Sequence, residues 1–161
     1  MAHDLVIKGG TVVDGTGAPG RRADVGVDGD RIAAVGEGLD GERVLEADGL
    51  VVAPGFVDIH THYDAQVFWD PGLTPSRFHG VTTVVAGNCG FSIAPVRPDG
   101  MGIIGRTLQH VEDMSLDTLT VGVPWDEFES FGGYLDAVER RGVGLNYGCY
   151  VGHTAVRLFV M

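Results

Sequence analysis

Over the first 54 residues, apolar and polar positions alternate in short bursts, and each burst ends at a glycine turn. Leu5-Val6-Ile7 runs into Gly9-Gly10, and Thr11-Val12-Val13 into Asp14-Gly15. Ala23 to Val27 and Arg31 to Val35 flank Asp28-Gly29-Asp30. A short loop with a glycine available for positive φ between two such runs marks a β-hairpin. Val44 to Ala47 and Leu50 to Ala53 add two strands across Asp48-Gly49, and no stretch of helical period interrupts the series. The pattern predicts a small all-β, sandwich-type domain over residues 1–54.

At Pro54-Gly55 the pattern changes. Phe56 to Ile59 reads as a short buried strand. Thr74 as N-cap with Pro75 at the first helical position predicts a short helix. Val81 to Ala86 is a second β-branched run, ending in Gly87-Asn88-Cys89-Gly90. Residues 100–114 read as partly helical. Trp125 to Arg141 reads as a helix, with Phe128, Phe131, Leu135 and Val138 on one face and Gly142 as its stop. Val143 to Val151 supplies a third strand. Strands alternating with helices mean an α/β fold with a parallel sheet. A doubly wound sheet and a (β/α)₈ barrel both fit. No Gly-x-Gly-x-x-Gly follows a strand, so a dinucleotide site has no support. The chain closes on Leu158-Phe159-Val160-Met161 without a polar tail, and a barrel needs about 250 residues. The expectation is a truncated barrel over residues 55–161, with three of eight strands present.

Composition narrows the function classes. Hydrophobic residues at 44% and charged residues at 20% describe a chain with a core. The net charge of −11 argues against nucleic acid and against anionic membrane surfaces, both of which need clustered Lys and Arg. Two cysteines make no disulfide framework. The first residues lack the basic and apolar segments of a signal peptide, and no apolar run reaches the ~18 residues of a membrane helix. A cytoplasmic location is the default expectation.

Two places carry candidate chemistry. His60 and His62, two apart at the C-terminal end of a strand, point to the same side. In barrels, that end carries the catalytic groups. The pair is either a donor set for one cation, such as zinc with nitrogen bonds of roughly 2.0–2.1 Å, or two polar histidines in a loop. Cys89 follows the second strand at the same end of the sheet. It is either a thiolate ligand or a small buried hydrophobe, and its flanking glycines favour an exposed turn.

Pro54-Gly55-Phe56-Val57-Asp58-Ile59-His60-Thr61-His62 resembles the opening of the first barrel strand in the amidohydrolase superfamily. Tyr63-Asp64-Ala65-Gln66, Gly87 to Pro95, Val111-Glu112-Asp113, Pro124-Trp125 and Val151-Gly152-His153 are similar to its N-acyl-D-amino-acid deacylase branch. The resemblance implies a metal-dependent (β/α)₈, TIM-like barrel. It implies His60 and His62 as ligands of one metal position and Cys89 as a thiolate ligand, bridging where two positions are filled. It implies zinc or another divalent ion, one or two per site. Many members bridge their metals with a carboxylated lysine, whereas the only lysine here is Lys8, in the β domain. Cys89 fits as the substitute. The family's two later metal-binding histidines and its catalytic aspartate are expected beyond Met161, so no catalytic residue is assigned here. Asp58 is expected to point away from His60, and neither it nor Asp64 fills that role. His153 is a candidate substrate-binding residue at the rim, with a structural role as the alternative. Tyr63 and Gln66 are candidates for orienting the metal site. Cys149 reads as core, and His3, His79 and His110 as surface or packing residues.

The implied activity is hydrolysis of N-acyl-D-amino acids, which are small-molecule substrates, to a carboxylate and a free D-amino acid. A cyclic-amide hydrolase of the hydantoinase or dihydroorotase kind is the enzymatic rival, expected to use a lysine bridge. A third reading is a catalytically inert, aggregation-prone fragment with an open sheet edge and too few ligands.

Overall fold

The computed structural model describes residues 2–161. They fall into two compact units, Met1–Pro54 and Gly55–Met161. No helix among the described residues is long and apolar enough to cross a membrane.

The first unit holds β1 (His3–Val12), β2 (Arg21–Asp28), β3 (Arg31–Gly36), β4 (Gly41–Glu46) and β5 (Val51–Val52). They form one five-stranded sheet in the order β3-β2-β1-β4, with β5 also on β1. The β1–β2 and β2–β3 pairs are antiparallel, whereas β4 and β5 run parallel to β1. Two facing layers, as in a sandwich, are not present among the described residues. The hairpin between β2 and β3 turns through Gly29 at φ 59°. Gly9-Gly10 reads as a turn in the sequence but forms a bulge inside β1, where the register shifts between Ile7 and Gly10. The reason is a buried carboxylate. Gly9 takes φ 73° and donates its N–H to Asp24 at 2.8 Å, and Leu39 donates to the other oxygen at 3.1 Å. These hydrogen bonds, Gly9 first, hold the Asp24 carboxyl below its ordinary 3.8.

The second unit is an α/β structure. Its strands are β6 (Phe56–Thr61), β7 (Val81–Ala86) and β8 (Asn146–Cys149). Its helices are α1 (Tyr63–Gln66), α2 (Thr74–Arg77), α3 (Met101–Glu112), α4 (Leu116–Gly122), α5 (Phe131–Arg141) and α6 (His153–Val160). The sheet is parallel, in the order β6-β7-β8. Its core includes Phe68, Leu73, Val84, Ile93, Phe128 and Tyr134. Phe68, Phe128 and Tyr134 sit with ring centroids 5.4–5.9 Å apart. Burying each such side chain contributes about 1.5–3 kcal/mol.

Four local expectations shift. The helix read over 125–141 begins only at Phe131, where the Ser130 hydroxyl caps it by accepting from Gly133 N–H at 3.0 Å. Phe128 reaches the core from the turn before it, so apolar spacing across a turn imitated a helical face. The α2 cap is Leu73, in the left-handed region, and the Asp70 carboxylate accepts from both the N–H and the hydroxyl of Thr74. The apolar C-terminal residues wind into α6. The Phe56–Ile59 run is not buried. With β7 as its only sheet neighbour among the described residues, β6 leaves Phe56, Val57 and Ile59 60–68% exposed.

Candidate metal centre

The site is assembled where β6 and β7 end. Thr61 closes β6 and donates its hydroxyl to Val85 O at 3.0 Å, tying the two strand ends together. Beyond β7 the chain must turn at once, because Ala86 O accepts from Tyr150 N at 2.9 Å and brings the residues after β8 alongside. Gly87 makes that turn at φ 75°, and any Cβ there would lie 2.3 Å from Tyr150 O. The side-chain amide of Asn88 then donates to Ile59 O at 2.9 Å, which straps the turn to the strand carrying the histidines.

The result is a convergence of donors. The His60 and His62 rings lie 5.3 Å apart, centroid to centroid. One nitrogen from each and Cys89 Sγ all lie within 4.8 Å of one another. Four-coordinate zinc with bonds of ~2.0–2.3 Å sets its ligand atoms roughly 3.4–3.8 Å apart. The set therefore fits an ion after about 1 Å of closure by side chains that are exposed or half-buried. Asp58, His60, His62, Tyr63, Gln66 and Glu112 line an open concavity of about 310 Å³ beside them. A larger recess, about 580 Å³, lies in the first unit, but neither histidine nor cysteine lines it. Volume alone does not find the chemistry.

Asp58 requires a correction. It does not point away from the histidines; positions 58 and 60 are two apart in a strand and share a face. Its carboxylate accepts from His60 N–H at 3.1 Å and lines the same concavity.

Asp64 lies behind the site, 4% exposed. Burial pushes its carboxyl up to about 7, against hydrogen bonds that pull it down. The Cys149 thiol is 3.8 Å from the Asp64 carboxylate. Burial, and then the Asp64 charge, push that thiol up to about 12. Cys149 is thus a protonated packing residue. The Tyr134 hydroxyl donates to Asp64 O at 3.1 Å and lies 2.6 Å from the Tyr147 hydroxyl.

The remaining candidates divide clearly. His153 opens α6 beside the cysteine turn, where Thr154 donates to Gly90 O at 3.0 Å. The Tyr63 hydroxyl lies 2.7 Å from that of Ser76 and the Gln66 amide nitrogen donates to Asp70 at 3.3 Å, so these groups are engaged away from the imidazoles while both residues line the concavity. His3 pairs with Asp28, and His79 and His110 are exposed. Sequence reasoning gave Glu112 no role. Its carboxylate lies 3.0 Å from Nδ1 of His62. The only sequence sign was its place in Val111-Glu112-Asp113.

The D-aminoacylase of Alcaligenes xylosoxydans xylosoxydans is 45% identical over 161 residues, covering 98% of this chain and 31% of the relative. A crystal structure of a D-aminoacylase superposes with a TM-score of 0.79 at 42% identity, covering 99% of this chain and 31% of that one. The N-acyl-D-glutamate deacylase of Bordetella bronchiseptica, solved with zinc and a phosphonate mimic of the tetrahedral intermediate, gives 0.79 at 35% identity, over 100% of this chain and 32% of that one. This chain thus spans about three-tenths of the length of these relatives. The model of the amidohydrolase family matches residues 43–130, from β4 through the histidine pair and the cysteine turn, and the chain belongs to that family.

Proposed function

We propose that the protein containing this chain hydrolyses the amide bond of N-acyl-D-amino acids, using a metal site to which His60, His62 and Cys89 contribute. One observation carries the reading: two imidazoles and a thiol meet within 4.8 Å at the C-terminal ends of adjacent parallel strands. The activities of the relatives support the substrate class. We read β6, β7 and β8 as the opening strands of a (β/α)₈ barrel, and residues 1–54 as its companion β domain.

The donor chemistry suits zinc or another divalent ion, one or two per site. Such an ion, when bound, supplies Lewis-acid polarisation of an amide carbonyl and acidifies water. The chain's own residues bind and orient. His60 offers a ring nitrogen from the end of β6, His62 offers one from the residue between β6 and α1, and Cys89 offers its sulfur from the neighbouring turn. Asn88 holds the turn to the strand. Asp64 is buried behind the donors and moves no proton at the substrate. We assign His153, which starts α6 beside the Gly90 turn, a substrate contact at the rim. The cysteine in the turn after β7 favours this reading over a cyclic-amide hydrolase, which is expected to bridge its metals with a lysine instead.

The test is an assay of the longest reading frame that contains this chain, with N-acyl-D- and N-acyl-L-amino acids. D-selective, chelator-sensitive release of free amine is expected, and Cys89→Ala should abolish it. Turnover of hydantoins or dihydroorotate without deacylation would overturn the proposal.

A further inference from the structure

Glu112 touches the candidate centre without belonging to its donor set. It occupies the last turn of α3, which ends at Asp113 in the left-handed region at φ 54°. A helix C-terminus carries partial negative charge, and an acidic side chain there costs about 0.3–1 kcal/mol. Glu112 therefore gains nothing from its own helix. Its compensating partner is His62: Oε1 lies 3.0 Å from Nδ1, with the carboxylate side chain only 15% exposed.

The same nitrogen has a second neighbour, Cys89 Sγ at 3.8 Å. Nδ1 can carry one hydrogen, so the two compete for it. A carboxylate at 3.0 Å lies within the normal range of a charge-assisted hydrogen bond, whereas sulfur at 3.8 Å lies at its outer limit. The carboxylate wins. A carboxylate can only accept, so the hydrogen sits on Nδ1, and in the neutral ring the lone pair is then on Nε2.

We propose that Glu112 is a positioning residue, which fixes His62 as the Nδ1–H tautomer and so presents Nε2 as its cation donor. This rests on the reading of His60, His62 and Cys89 as a metal site. An outer carboxylate of this kind restrains both tautomer and ring orientation, and its loss costs about 10- to 100-fold in metal affinity.

Two measurements on the 161-residue chain test the idea. Long-range ¹H–¹⁵N spectra of the metal-free chain report which nitrogen of His62 bears hydrogen. Nδ1–H is expected in the unaltered chain, and a mixture of tautomers in Glu112→Leu. Cobalt(II) titration, followed by the thiolate-to-cobalt absorption of Cys89, should show binding about 10- to 100-fold weaker in Glu112→Leu. Glu112→Asp should restore part of the affinity. Glu112→Gln, which keeps the volume and a neutral acceptor, should fall between the two and serves if the leucine variant fails to fold. An Nε2–H tautomer in the unaltered chain, or tautomer and affinity unchanged in the variants, would overturn the assignment. A chain that binds no cobalt in any form would instead overturn the metal reading, and the nitrogen spectra would still decide whether Glu112 governs His62.

Discussion

Replacing Gly87 with alanine probes the close approach that shapes the cysteine turn. Two costs add at this position. The first is backbone conformation: φ is 75°, and the left-handed region costs an L-residue about 1–2 kcal/mol. The second is space. An added Cβ would lie 2.3 Å from Tyr150 O and 3.2 Å from its carbonyl carbon. Those are backbone atoms held by the Tyr150 N to Ala86 O hydrogen bond, so no flexible side chain can yield. Restoring an ordinary contact of about 3.5 Å requires the strand ends to part by roughly 1 Å, and overpacking of this sort costs about 1–3 kcal/mol. Gly142 is the control. It has φ 76°, and nothing lies within 4 Å of its missing Cβ, so it carries the conformational cost alone. Urea unfolding of the three chains, with unchanged slope, should give a loss of about 1–2 kcal/mol for Gly142→Ala and about 2–5 for Gly87→Ala. Cobalt binding should weaken in Gly87→Ala only, because Asn88 and Cys89 move with the turn. Equal losses in the two variants would refute the argument from Tyr150.

Tyr134→Phe removes a hydroxyl that donates to Asp64 O and, its own proton being committed there, accepts from Tyr147. Asp64 O is left buried and the Tyr147 hydroxyl half-buried without that partner, and urea unfolding should show a loss of about 1–3 kcal/mol; an unchanged midpoint would contradict the network. In the first unit, Asp24 has a folded pKa below its ordinary 3.8. Its contribution is therefore complete above the unfolded value and lost as pH falls through the folded one. Amide exchange at Gly9 and Leu39 should quicken as pH drops below about 4, after correction for intrinsic rates, and Asp24→Asn should remove that dependence. Unaltered protection at those amides in acid would argue against it.

The histidine pair was legible as two imidazoles two residues apart at the end of an apolar run, although only His60 lies in β6 and His62 follows it as the cap of α1, with the rings 5.3 Å apart. The period of two along a strand, misapplied, sent Asp58 to the wrong side. Cys89 was legible through its glycines, since Gly87 marks a turn whatever surrounds it. Glu112 was not. It reaches His62 from a distant helix, and no local period encodes a contact between elements so far apart in sequence. Gly9-Gly10 deceived because a bulge and a turn ask for the same residue; the difference lies in Asp24, which no neighbouring residue announces. The over-long helix at 125–141 has a similar cause: Phe128 and Phe131 are both drawn toward the core, one from a turn and one from a helix.

The bare flank of β6 governs how this chain can be handled. A strand with one neighbour presents a row of free amides and carbonyls, and here Phe56, Val57 and Ile59 stand out beside them. Molecules meeting along that flank can zip together, so dilution becomes an experimental variable. Affinities and melting curves for the 161-residue chain are comparable only at matched protein concentration, and turbidity on concentrating it would report this surface before it reported unfolding.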